Sequence, residues 1–145
     1  MAVYNNLPTQ GGMKATLLWT NPNPTTNYSS GTISLSEPLT NFQKLRIVWA
    51  YSYFDSDATK VTAVDYELGD LSSWTNSAWR LNFGMDCSHS DNGRWYARGA
   101  YINDTTTYQS LWMRECWREG YSGTDNSRLI PLEMYGLSGD KTLEE

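Results

Sequence analysis

The chain has little charge and little sulfur. Eleven Lys plus Arg stand against sixteen Asp plus Glu, a net charge of −5, and only 19% of the 145 residues are charged. That balance leaves no basic footprint for neutralising phosphates, so no nucleic-acid partner is expected. It argues equally against a polybasic membrane-surface protein. Long apolar runs are missing too. No window approaches the roughly 18 residues of a membrane helix, so no membrane insertion is expected. The start, Met1 to Gly12, lacks a basic segment followed by an apolar one, so no secretion signal is legible. Two cysteines, Cys87 and Cys116, fall short of a disulfide framework and are read as free, buried thiols. A single histidine, His89, and the lack of any CxxC pair leave no zinc site. Phosphate-cradling GxGxxG and GxxxxGK[ST] patterns do not occur. No metal and no cofactor is expected.

What the chain does have is aromatic mass: seven Trp, ten Tyr and three Phe, 14% of the residues. Disordered chains show the reverse composition, so this one should fold around a core. Strand periodicity is abundant and helical periodicity scarce. Leu45, Ile47, Trp49, Tyr51 and Tyr53 recur at period two, as do Trp79, Leu81, Phe83, Met85 and Cys87. Val64, Tyr66 and Leu68 alternate with Ala63, Asp65 and Glu67, and Ile130, Leu132 and Met134 with Pro131, Glu133 and Tyr135. Shorter candidates are Ala15 to Trp19 and Thr32 to Leu35. Asn92-Gly93 suits a tight turn between Trp79–Cys87 and Arg94–Ile102. Ser110 to Glu119 fits helix or strand spacing, and its all-β surroundings favour strand. The expected fold is all-β, a single-domain β-sandwich of jelly-roll type with about eight strands. It should span 13–138, between a flexible lead-in at 1–12 and a polar tail at 139–145.

Chemistry is hard to find. His89 sits at a hairpin tip, where it cannot be oriented and desolvated as a triad base. Asp65 and Glu67, with Asp55 and Asp57, resemble a glycosidase pair only in type. Two acids at i and i+2 are read as the polar side of a strand. No catalytic residue is assigned and no enzyme is expected. The remaining candidates are aromatic and cationic: Trp74, Trp95, Tyr96, Trp112 and Trp117, with Arg98 and Arg118. Exposed rings can stack on sugars or anchor a protein interface. The alternative is that they fill a core or a subunit contact.

Two stretches carry a family resemblance. The first is Leu17-Leu-Trp-Thr-Asn-Pro-Asn-Pro24, followed by Gly31-Thr-Ile-Ser-Leu35 and Phe42-Gln-Lys-Leu-Arg-Ile-Val-Trp49. The second is Arg128-Leu-Ile-Pro-Leu-Glu-Met-Tyr-Gly136. Together they resemble a small β-rich domain associated with the tail fibres, baseplates or minor structural proteins of tailed bacteriophages and prophages of Gram-positive or gut bacteria. The matched motifs are strand and turn residues, so no ligand-binding position carries over. The resemblance implies a virion structural protein, assembled in the host cytoplasm. Its partners would be other virion proteins and copies of itself, a trimer being the form that tail fibres take. If the domain adheres to a host, the aromatic candidates themselves, beside polar loops, point to a cell-surface glycan as receptor. The stretch from about Ser56 to Thr124 has no match and holds the surplus Trp. The alternative function is a carbohydrate-binding module or glycan-active protein of a gut bacterium.

Overall fold

A computed structural model describes residues 13–52, 61–74, 80–86, 95–119 and 124–139. Among the described residues ten strands follow one another: β1 (Lys14–Thr20), β2 (Gly31–Ser34), β3 (Lys44–Ser52), β4 (Val61–Glu67), β5 (Phe83–Asp86), β6 (Trp95–Arg98), β7 (Ala100–Ile102), β8 (Ser110–Met113), β9 (Trp117–Arg118) and β10 (Arg128–Ser138). Single 3-10 turns at Leu39–Asn41 and Leu71–Ser73 are the only helical segments among the described residues. All strand pairs are antiparallel. The sheet orders are β1-β10-β3-β4, β2-β8-β7 and β5-β6-β9.

The two three-stranded sheets run into each other. Only Gly99 separates β6 from β7, and alternation continues across it: Tyr96, Arg98, Ala100 and Ile102 are all buried. The Arg114 amide donates to the Gly99 carbonyl (2.9 Å), and Ala100 exchanges backbone bonds with Leu81. This layer shares one core with the four-stranded sheet, built from Leu45, Ile47 and Trp49 on β3 and Ile33, Leu111, Met113 and Ile102 opposite. The all-β single-domain expectation therefore holds. Nested pairing of a jelly-roll kind is present, since the first strand pairs with the last and β2 pairs with β8. The chain departs from it where β3 pairs with β4, its neighbour in sequence. The described residues hold ten strands rather than about eight because 94–102 is interrupted at Gly99 and 110–119 splits into β8 and β9. The hairpin of β5 with β6 is present, with Phe83 opposite Arg98. Its turn, with His89, Cys87 and Trp79, lies outside the described residues, as do 1–12, 140–145, Asp55 and Asp57.

β10 corrects one expectation. Ile130, Leu132 and Met134 do not share a face. Ile130 and Leu132 join Val48, Ala50, Tyr135 and Leu137 in a second apolar cluster on the far side of the sheet, while Met134 faces the main core. The register shifts between Pro131 and Glu133. Proline supplies no amide to the ladder, and a bulge beside it switches the alternation. Glu133 is consequently buried. Its Oε1 accepts from the Tyr135 hydroxyl at 2.7 Å, whereas its Oε2 has no hydrogen-bond partner. Burial, reinforced by Glu133, pushes the Tyr135 pKa upward. A buried carboxylate oxygen without a partner is costly. Glu133→Gln should therefore raise stability by about 1–2 kcal/mol, read as a higher urea midpoint at unchanged slope. A lower midpoint would show that the charge is compensated.

Trp49 carries the contact between layers. Its ring stacks on Phe83 of β5, with centroids 5.4 Å apart and planes at 20°. Its Nε1–H donates to the Tyr66 hydroxyl (3.3 Å), which donates to the Asn82 carbonyl (2.9 Å). Burial pushes the Tyr66 pKa up to about 12, against a smaller lowering from the Trp49 bond. An unfolded tyrosine ionises near 10. Between pH 10 and 12 the unfolded chain loses this proton while the folded chain keeps it, so stability falls as pH rises through that window. Comparison with Tyr66→Phe isolates the effect. The stability advantage of the natural chain over Tyr66→Phe should shrink between about pH 8 and about pH 11.5 in denaturant titrations. A constant advantage would refute the assignment.

Candidate functional site

The site lies on the outward face of β5, β6 and β9. Antiparallel register sets Gly84 opposite Ala97, and Ala97 opposite Trp117. Because Tyr96 and Arg98 point into the core, Trp95 and Ala97 must point out. Trp95 is 43% exposed and Trp117 41% exposed, so both indoles stand in solvent. A methyl group at Gly84 would lie 2.7 Å from the Trp95 ring, and one at Gly99 would collide with the Asn82 amide oxygen. Glycine at these two positions lets the Trp95 indole lie over one backbone and the Asn82 amide over the other. The result is a pocket of about 420 Å³ lined by Asn82, Phe83, Gly84, Trp95, Ala97, Arg98, Gly99, Arg114 and Trp117. That is the size of a small-molecule site.

The walls are held from behind. The Trp95 amide donates to the Glu119 carboxylate (3.3 Å), and the Glu119 amide donates to the Trp95 carbonyl (2.8 Å). Arg98 is 1% exposed. Its guanidinium donates to three backbone carbonyls: Leu129 (2.8 Å), Arg114 (2.9 Å) and Arg128 (3.0 Å). It also lies 5.4 Å from the Tyr28 ring centroid. Burial draws its pKa down to about 10. The same burial raises that of Tyr28, against the opposing pull of Arg98.

A second concavity of about 450 Å³ lies beside Trp112, lined by Ser30, Trp112, Arg114, Glu115 and Thr124. Trp112 is half-buried on β8, opposite Tyr101 and Thr32. The Glu115 carboxylate accepts from Thr124 Oγ1 (3.2 Å) and Asn126 Nδ2 (3.1 Å). Arg114 belongs to both concavities.

The chain matches no protein-family model and no curated protein. Its chemistry has to be read from its own residues.

Among the residues singled out in the sequence, Trp95, Trp117 and Arg98 meet at the first pocket, and Trp112 lines the second. Trp74 does not join them. It is 3% exposed beyond the turn at Leu71–Ser73, donates from Nε1 to the Leu68 carbonyl (3.1 Å) and is covered by the Arg80 guanidinium at 5.0 Å. Tyr96 is 1% exposed in the core, with its hydroxyl 3.4 Å from Asp125. Arg118 is half-buried, 6.0 Å from the Tyr96 ring. Asn82, Gly84, Gly99 and Arg114 were missed. Small residues on the same strand face as a tryptophan were the available signal. Cys116 is buried, as expected. Asp65 forms a two-pronged pair with Arg46 (2.6 and 3.0 Å), and Glu67 pairs with Lys44 (3.1 Å). No cluster of His, Cys, Asp and Glu able to hold a metal occurs among the described residues.

Proposed function

We propose that this chain is a structural domain of a phage virion, in the tail, baseplate or fibre, that binds a host cell-surface glycan and performs no chemistry. The observation that carries the binding half is the pair of half-exposed indoles, Trp95 and Trp117, at one pocket on the outward face of β6 and β9. An indole face is electron-rich and apolar, and a pyranose presents an axial C–H face of matching size. Asn82 and Arg114 at the rim supply hydrogen bonds for hydroxyl groups. The virion half draws support from where the resemblance falls. The matched stretches form β1, β2, β3 and β10, and Leu17 pairs with Tyr135 across two of them. The unmatched middle supplies β4, at the edge of the four-stranded sheet, and β5 to β9, of which β5, β6 and β9 carry the pocket. That is the division expected of a shared scaffold with a binding layer particular to one member. A free-standing carbohydrate-binding module would use the same pocket, but as a monomer. A self-associated oligomer in light scattering favours the virion reading.

Tryptophan fluorescence against host cell-wall oligosaccharides tests binding. Trp95→Ala should weaken affinity at least about tenfold, the loss of one ring contact of about 1.4 kcal/mol. Its melting temperature should hold, because the ring is exposed. No fluorescence change with any oligosaccharide would leave the domain a scaffold.

A further inference from the structure

We infer that the ligand is an internal stretch of a linear polysaccharide, laid along β6 and β7 from Trp95 and Trp117 to Trp112. This rests on the glycan reading above and adds the length and path of the ligand.

Strand register places the three indoles on one face. Along 95–102 the buried residues are Tyr96, Arg98, Ala100 and Ile102, so Trp95, Ala97, Gly99 and Tyr101 point outward. Trp117 stands opposite Ala97, and Trp112 stands opposite Tyr101. Leu111 and Met113, on either side of Trp112, are buried, which sets Trp112 on the same outward side. From Ala97 to Tyr101 the chain advances by roughly 13 Å of extended backbone. A pyranose, a six-membered ring with bonds of ~1.5 Å, is roughly 5 Å across. One sugar held between Trp95 and Trp117 therefore leaves Trp112 for a later unit of the same chain.

The two concavities adjoin, since Arg114 borders both. Between the indoles the surface is polar: the Asn82 amide lies over Gly99, and the Gly99 carbonyl accepts from the Arg114 amide. Rings separated by polar groups suit linked pyranoses, whose C–H faces are joined through oxygen. The indole N–H groups agree with this. In the core, Trp49 and Trp74 donate theirs to Tyr66 and Leu68. No acceptor among the described residues meets the indole N–H of Trp95, Trp112 or Trp117, which leaves these donors for ligand oxygens.

The test titrates β-linked dimers and hexamers of N-acetylglucosamine, glucose, xylose and mannose by calorimetry, whose signal does not depend on the tryptophans being replaced. In any series that binds, the hexamer should bind at least about tenfold tighter than the dimer, the worth of one further ring contact. Trp95→Ala should weaken dimer and hexamer by the same factor. Trp112→Ala should cancel the advantage of the hexamer and leave the dimer unchanged. Trp112→Phe, which keeps a ring, should restore most of that advantage. An unchanged dimer affinity also shows that the variant is folded. Equal affinity of dimer and hexamer would overturn the inference and leave the glycan reading intact. So would an advantage that survives Trp112→Ala, or a Trp112→Ala defect equal for both lengths. Binding by neither length in any series would sink both readings.

Discussion

Arg98→Met should cost the fold about 3–5 kcal/mol, with a fall in melting temperature of roughly 10–15 °C. Methionine conserves length and removes an ion from a site where Arg98 is only 1% exposed, so relief of desolvation favours the variant. Two other terms oppose it. The carbonyls of Leu129, Arg114 and Arg128 lose charge-assisted donors at 2.8 to 3.0 Å, and buried acceptors without donors cost about 1–3 kcal/mol each. Leu129 also has a φ of 50°, the left-handed region that a branched side chain avoids. Two of the three bonds hold the carbonyls on either side of that residue, so Arg98 helps keep a strained entry into β10 in place. Arg98→Lys is the sharper variant. It keeps the charge, but one ammonium on a flexible stem does not reproduce the fixed fork that reaches three carbonyls. Lysine should therefore recover less than half of the loss in guanidinium unfolding. Full recovery would mean that charge, not geometry, holds the site. The third bond ends on the Arg114 carbonyl, so both variants should also weaken ligand binding at the pocket rim.

The same arginine explains why the site was only partly legible. Along 95–102 the buried positions are Tyr96, Arg98, Ala100 and Ile102. Read as a pattern, Arg98 argues for the opposite parity, because arginine is rarely fully buried. With parity uncertain, Trp95 and Tyr96 looked equivalent as surface candidates. The partners that settle it are far away in sequence: Leu129 and Arg128 lie about thirty residues on. Trp74 shows the same limit. Nothing periodic surrounds it, and its burial depends on a bond to Leu68 and on Arg80 over its ring. Where local pattern and tertiary packing agreed, the reading was sound. β3 runs from Lys44 to Ser52 against an expected Leu45 to Tyr53. Its inward residues Leu45, Ile47 and Trp49 are the expected ones. β10 failed locally, because the bulge at Pro131 interrupts a period that the residue types continue.

Trp49→Ala should be the other severe variant, losing about 4 kcal/mol. A domain of this kind has about 5–15 kcal/mol in all. Trp49 is 1% exposed, so alanine leaves a cavity between two rigid sheets that cannot close over it. The loss has a second component. The Tyr66 hydroxyl would no longer receive the Nε1–H, and the link through Tyr66 to the Asn82 carbonyl would loosen. Trp49→Phe separates the two. It retains a ring to stack on Phe83 but has no N–H, so it should cost about 1–2 kcal/mol and keep a single cooperative transition. Phe83 lies between this core and the pocket: it stacks on Trp49 and lines the pocket with Asn82. A smaller ring at 49 lets Phe83 settle inward and enlarges the pocket floor. Trp49→Phe should then weaken ligand binding while the domain stays folded. Trp74→Phe, in the same core but bonded to the Leu68 carbonyl and covered by Arg80, should lower stability without that loss. Equal binding defects in both variants would indicate general loosening of the core; a defect confined to position 49 would locate the coupling at the Trp49–Phe83 stack.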